Sequence, residues 1–322
     1  MRAGRKGADP AAQMEAALTR SEGTASMGTR LENKTALVTG ATSNIGRAVA
    51  IMFAAEGAHV VVSGRDRARG GEVVAEIRAA GGRADFIPAE LDGSRSASEE
   101  LAAAATRTLG GRIDVLVNNA GIYPGSSTAA TDEATFDKVY AVNVKAPFFL
   151  TAAIAPAMAE RGSGAIINLG SWIARLGIPI GSLYSSTKGA IETLTRAWAA
   201  EFGPAGVRVN AISPGVIRTP DPDATGADDD LAEAMMRGSP AGASGTPVAI
   251  AHAAVYLASD EAAFVHGTVI DVDGGRTGVA VIAPGPDTRS HTAPFTSRDG
   301  GRAKSSAASD RDKFSRTRRI QE

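Results

Sequence analysis

Residues 34–56 read KTALVTGATSNIGRAVAIMFAAE. A short apolar run, KTALVT over 34–39, passes directly into a turn of small residues and then into a helical stretch from Ile45 to Glu56. A strand that feeds a glycine-containing turn and then a helix is the opening unit of a parallel α/β sheet. The turn runs Thr39, Gly40, Ala41, Thr42, Ser43, Asn44, Ile45, Gly46. Small residues there let the backbone come close to a pyrophosphate, and the helix N-terminus offers N–H groups and partial positive charge to it. The spacing is not that of the GxGxxG fingerprint. Asn44 tolerates positive φ better than most residues, which suits a turn this tight.

Outward from this unit the pattern repeats. HVVVS (59–63) is a second strand, followed by a charged helix from Asp66 to Ala80. RADFIPAEL (83–91) gives a third strand, and Ser94 to Leu109 a third helix. IDVLVN (113–118) is the fourth strand, and a long or broken helix covers Asp132 to Glu160. GAIINL (164–169), a helix from Tyr184 to Phe202, VRVNAI (207–212) and TVIDV (268–272) complete the series. The strands are continuously apolar, as strands covered on both faces are. The reading is an α/β fold: a Rossmann-like, doubly wound, seven-stranded, mostly parallel sheet with helices on both faces.

Composition changes at both ends. Residues 1–30 are small, polar and charged, and read as a disordered extension; Met27 is a candidate alternative start. Residues 31–283 form the single folded domain. Residues 284–322 carry nine Lys and Arg against five Asp and Glu and few apolar side chains, so they read as a disordered basic tail. The chain has no Cys, which excludes disulfides and thiol chemistry and suits a cytoplasmic setting. A formal charge of −1 gives no general reason to bind nucleic acid. No apolar run is expected to reach membrane-spanning length, and no signal peptide is visible. The four His residues have no metal-ligand spacing, so no metal is expected. Asp228, Asp229 and Asp230 read as the acidic start of a helix.

Several motifs fall at carboxyl ends of strands, where open α/β sheets bind ligands. Asn118, Asn119, Ala120 and Gly121 end the fourth strand. Tyr184-Ser-Ser-Thr-Lys188 opens a helix, and Pro214-Gly215 follows the sixth strand. With TGxxxxxG (39–46), Asn143 in VNVKAPF, Ser171 thirteen residues before Tyr184, NAISPG (210–215) and VDGG (272–275), the chain resembles the classical short-chain dehydrogenase/reductase family. The resemblance runs from about Leu31 to Ile282 and includes 3-oxoacyl-acyl-carrier-protein reductase-like members.

The resemblance implies a nicotinamide dinucleotide lying against Gly40, Ser43, Asn44, Ile45, Gly46, Arg65, Asp92, Asn118, Ala120, Gly121, Tyr184, Lys188, Pro214, Gly215, Ile217 and Thr219. Thr219 corresponds to the residue that contacts the carboxamide. Asp92 corresponds to an adenine contact, or caps the helix that begins near Ser94. Strand two ends Ser63-Gly64-Arg65, with Gly64 where NAD-binding members carry an acid. No carboxylate is there to repel a 2′-phosphate, and Arg65 can pair with one, so NADP(H) is preferred, with NAD(H) possible. Arg47 is a candidate helper.

Tyr184 and Lys188 are one helical turn apart and share a face. An ammonium beside a phenol is expected to lower its pKa, so that Tyr184 can give or take a proton at a carbonyl or alcohol oxygen. In the family Ser171 bonds the substrate oxygen and Asn143 holds a water near the lysine. Tyr123 and Trp172 are candidate pocket residues, and Tyr140 is packing. The pocket walls are expected from residues 123–128, 172–183 and 217–243, with few fixed charges. The implied function is reduction of a ketone to a secondary alcohol, a 3-oxoacyl thioester among the candidates. The alternatives are a cofactor-sensing regulator on the same fold and an NAD-dependent alcohol or sugar dehydrogenase. The partner is a small-molecule carbonyl or alcohol, and the resemblance implies a homotetramer built on the helices near 132–160 and 184–202.

Overall fold

A computed structural model describes residues 29–179, 181–218 and 233–279. The readings of residues 1–28 and of the tail from 284, Thr219 and the run Asp228–Asp230 lie outside the described residues. So does much of the expected pocket wall at 217–243.

Seven strands are present: β1 (Thr35–Thr39), β2 (His59–Gly64), β3 (Arg83–Pro88), β4 (Val115–Asn118), β5 (Gly164–Leu169), β6 (Val207–Pro214) and β7 (Val269–Val272). Their order across the sheet is β3-β2-β1-β4-β5-β6-β7, and every pairing is parallel. The helices are α1 (Asn44–Ala55), α2 (Arg67–Ala79), α3 (Arg95–Thr108), α4 (Glu133–Tyr140), α5 (Ala146–Arg161), α6 (Ser182–Phe202) and α7 (Pro247–Ala258). The strand order reverses between β1 and β4, so their carboxyl ends part and leave a crevice there.

Alternation along each strand feeds two cores. Ala36 and Val38, Val60 and Val62, and Val115 and Val117 pack on the face covered by α1, α2 and α7. Leu37, Val61, Leu116 and Ile166 point the other way, against α3, α5 and α6. Both faces are therefore dry, which is why these strands read as unbroken apolar runs. Helix starts are set by polar caps: Asp66 accepts from the Arg69 amide at 3.0 Å, Ser94 from Ala97 at 3.2 Å and Asp132 from Thr135 at 2.7 Å.

One boundary differs from the sequence reading. The fourth strand begins at Val115, and the Asp114 carboxylate just before it accepts from the Thr35 amide at 2.8 Å. Of the long or broken helix expected over 132–160, the fold has the broken form: α4 and α5 are joined by a π-helical turn, Ala141–Lys145, that holds Asn143. π-turns inside α-helices often occur at functional sites. The run Glu133–Arg161 is also long and apolar enough, with a mean hydropathy of 1.3, to cross a membrane by length and composition. That corrects the expectation that no such run exists. In this fold Leu150, Ile154, Ala155 and Met158 of α5 pack into the second core.

Candidate active site

The crevice at the switch point is a cleft of about 760 Å³. The turn after β1 forms one wall. Gly40 has φ +61°, and a Cβ on it would stand 2.9 Å from Ala120 Cα, so only glycine lets this turn lie against the end of β4. A methyl on Gly46 would collide with the Gly40 carbonyl. Asn44 sits at φ +46°, in the left-handed region that the sequence reading allowed it. Ser43 precedes α1 without making a side-chain cap bond, so the helix start faces the cleft without a polar lid of its own.

Gly40, Ser43, Asn44, Ile45, Gly46, Arg65, Asp92, Ala120, Gly121, Ser171, Tyr184, Lys188, Pro214, Gly215 and Ile217 all line this cleft. Two expected residues do not. Asn118 is buried below the floor, where its amide donates to Asn168 Oδ1 at 2.9 Å and Thr151 Oγ1 at 3.3 Å and ties β4 to β5. Its neighbour Asn119 lines the cleft instead and clamps the turn by donating to the Thr39 and Gly40 carbonyls at 2.8 and 3.0 Å. β4 ends at Asn118, so Asn119 follows it in the turn and points to the cleft while Asn118 stays below the floor. Asn143 is also buried, under Ile122: its Oδ1 accepts from the Ile122 amide at 2.9 Å and its Nδ2 donates to the Ile122 carbonyl at 3.0 Å. The same Nδ2 donates to Thr187 Oγ1 on α6 at 3.2 Å, so the side chain ties the loop after β4 to the helix that carries Tyr184 and Lys188.

Asp92 lines the cleft, and its carboxylate accepts from the Ser94 amide at 2.8 Å in the turn before the helix, whose cap is Ser94 itself and not Asp92. Gly64 ends β2, and a Cβ there would come within 2.7 Å of Thr42 Cγ2, so a larger side chain needs the Thr42 side chain to turn aside. Arg65 beside it is exposed on the rim. Arg47, in contrast, is paired with Glu76 on α2 and does not line the cleft.

On the opposite wall, β5 ends at Leu169 and delivers Ser171, while α6 delivers Tyr184 and Lys188. Ser171 and Tyr184 face the same end of the cleft, and Ser171 eases ionisation of the Tyr184 phenol. Lys188 is buried, donates to the Leu169 carbonyl at 2.8 Å, and has its Nζ 5.4 Å from the centre of the Tyr184 ring. Burial is the dominant influence on both groups. It pushes the phenol up to about 12, with Ser171 working against it and Tyr123 with it. It draws the ammonium down to about 8. The sequence reading expected Lys188 to lower the phenol; in this site loss of water outweighs any such effect. Tyr184 therefore holds its proton at neutral pH, the state from which it can donate.

Tyr123 leans over Tyr184, ring centres 4.7 Å apart, with half its surface exposed on the cleft. Trp172 is buried, with the Arg276 guanidinium 4.3 Å above its ring, and does not line the cleft. Tyr140 stacks on Phe136 and donates to Ser186 Oγ at 2.9 Å, a packing role. Two further residues were invisible to sequence reasoning. Arg175 and Glu192 lie directly behind Gly170 and Ser171, and neither belongs to a motif.

The residues present fit a dinucleotide. A close-approach glycine turn faces a helix start, the acid-free end of β2 offers a cation, and a proton donor waits at the far end of the same cleft. Comparison with known proteins agrees. Residues 40–277 match the family model described as Enoyl-(Acyl carrier protein) reductase. A 3-oxoacyl-[acyl-carrier-protein] reductase of Thermotoga maritima is 35% identical over 246 residues, spanning 76% of this chain and 98% of that protein. A solved short chain dehydrogenase/reductase family protein superposes with a TM-score of 0.70 at 45% identity, over 78% of this chain and all of that one. A structure described as a candidate NAD(P) dependent gluconate 5-dehydrogenase from Beutenbergia cavernae, with NADP bound at low occupancy, superposes with a TM-score of 0.71 at 38% identity. It covers 77% of this chain and 98% of that one.

Proposed function

The chain belongs to the classical short-chain dehydrogenase/reductase family of oxidoreductases, and on that premise we propose that it is an NADP(H)-dependent reductase of ketones, with Tyr184 as the general acid. One observation carries the reading. Ser171, Tyr184 and Lys188 arrive from two different elements and meet at one end of a single cleft whose other end is the glycine turn.

When bound, the nicotinamide supplies or accepts the hydride. The chain supplies the rest. Ser171 and the Tyr184 phenol together offer two donors to one substrate oxygen. Such donors stabilise charge as it builds there. A phenol held near 12 keeps its proton at neutral pH and gives it up only to an oxygen that is becoming strongly basic, which favours reduction of a carbonyl. Lys188, with its pKa drawn down to about 8, is the group that returns a proton to Tyr184. Asn143 holds the 121–122 backbone that flanks the ammonium. Arg65 selects the 2′-phosphate of NADP(H) over the plain ribose of NAD(H). Tyr123 forms the outer wall of the substrate end.

The proteins similar to this chain are named for different substrates, a 3-oxoacyl thioester for one and gluconate for another. A 3-oxoacyl thioester is our first candidate, since it needs no fixed charge beside the ketone. The test is NADPH oxidation by the purified protein against 3-oxoacyl thioesters, cyclic ketones, diketones and keto sugars, with an enoyl thioester included. Turnover of a ketone supports the reading. Turnover of the enoyl thioester alone overturns it.

A further inference from the structure

Ser171 sits in an extended backbone, and a single 3₁₀ turn, Trp172–Ala174, follows it. That turn ends at Arg175, whose guanidinium reaches across to β6, β7 and α6. Its Nη1 donates to Asp271 Oδ2 on β7 at 2.8 Å, and Nη2 donates to Ser213 Oγ on β6 at 3.0 Å as well as to Asp271 Oδ1. Its Nε lies 3.8 Å from Glu192 Oε1. Glu192 belongs to α6, on the stripe that already carries Tyr184 and Lys188 at four-residue spacing. The first two members of the stripe open on the cleft. The third is buried beneath Gly170, so close that a Cβ at 170 would meet Glu192 Oε1 at 3.4 Å.

A guanidinium and two carboxylates in this place are a poor way to add stability. Arg175 and Asp271 are each about one-third exposed, where water screens such a pair to little net gain. Glu192 Oε1 is buried and makes no hydrogen bond at all. What the arrangement does provide is geometric. Ser171 and Tyr184, which line the same end of the cleft, stand on two separate carriers, the turn 171–175 and helix α6. Arg175 links these two carriers through Glu192, and fixes both to the sheet through Ser213 and Asp271.

We propose that Arg175, gripped between Glu192, Asp271 and Ser213, is a positioning residue that sets the Ser171 hydroxyl against Tyr184. It touches neither substrate nor cofactor and works only through the serine. The inference rests on the reductase reading above.

The experiment is a double-mutant cycle between Arg175→Met and Ser171→Ala, read with NADPH and either a 3-oxobutyryl thioester or cyclopentanone, whichever the wild type reduces. Arg175→Met is expected to lower kcat by about ten- to a hundred-fold, the cost of a small misplacement. The Kd for NADPH should not change. In the Ser171→Ala background the same substitution should change kcat by less than about twofold, because the group it positions is gone. Arg175→Lys should recover part of the loss, since an ammonium cannot reproduce the planar fork. Glu192→Gln, which keeps the shape and drops the charge, provides the same cycle should Arg175→Met not fold. An equal loss in both backgrounds, or no loss with Ser171 present, overturns the inference while leaving the reductase reading intact. Wild-type turnover by Ser171→Ala overturns both.

Discussion

The Lys188 ammonium stands 5.4 Å from the centre of the Tyr184 ring and donates to the Leu169 carbonyl at 2.8 Å. It is held from the side, by the end of β5, and it is buried. That relationship makes the lysine costly to the fold. Its pKa falls from an ordinary 10.5 to about 8 on folding, so below pH 8 an ammonium must be desolvated. At about 1.4 kcal/mol per pKa unit this costs roughly 3 kcal/mol. The native state loses its proton first as pH rises, so the penalty is full below pH 8 and fades between 8 and 10.5. Lys188→Met should therefore raise stability at pH 7 by about 2 kcal/mol, allowing about 1 kcal/mol for the lost hydrogen bond. Urea unfolding at pH 7 and pH 10 checks this: the gain should shrink at the higher pH. A variant less stable than wild type at pH 7 would contradict it.

The same titration reaches the chemistry. Above pH 8 Lys188 becomes neutral and can no longer return a proton to Tyr184. The kcat for ketone reduction should fall as pH rises through about 8, with no fall below it down to pH 6. Tyr184 itself, near 12, contributes no step in that range. A flat profile from pH 6 to 10 would remove Lys188 from the proton path.

Cofactor choice is placed on Arg65, exposed on the rim beside Gly64. Arg65→Asp should weaken NADPH binding by at least about tenfold, the loss of one charge-assisted contact and the gain of a repulsion. NADH binding should hold or tighten. Fluorescence titration of both cofactors measures the ratio, and an unchanged ratio would contradict the assignment. Arg47→Ala should leave it unchanged, because that side chain is engaged with Glu76.

Gly46 tests the turn. A methyl there runs into the Gly40 carbonyl and the Asn119 amide, neither of which can move without shifting the end of β4. Gly46→Ala should cost about 1–3 kcal/mol. It should also reduce the rise in melting temperature that NADPH gives the wild type, since a ligand stabilises by its affinity for the native state. A normal cofactor-induced shift in the variant would mean that the turn does not carry the pyrophosphate.

Most of this architecture was legible because the sheet is covered on both faces. Unbroken apolar runs such as VLVN, separated by helices with capping residues at Asp66, Ser94 and Asp132, leave little choice of topology. The glycine turn, Ser171, Tyr184 and Lys188 were legible as a set because their chemistry demands those residue types. What failed has equally physical causes. The resemblance pointed to Asn118, but two neighbouring asparagines of one motif carry no mark of which faces the cleft, and in the fold it is Asn119. Desolvation of Tyr184 depends on what surrounds it, and i,i+4 spacing says nothing of that. The π-turn at 141–145 leaves no mark in a sequence whose helical pattern continues through it. Arg175 and Glu192 are seventeen residues apart and meet only because the turn folds back under helix α6.

The central claim is that Tyr184 delivers the proton. The direct measurement is single-turnover NADPH oxidation by wild type and Tyr184→Phe with the same ketone. The account predicts a rate about 10²–10⁴ lower in the variant, with NADPH bound as tightly as before. A phenylalanine enzyme that reduces the ketone at the wild-type rate would contradict it.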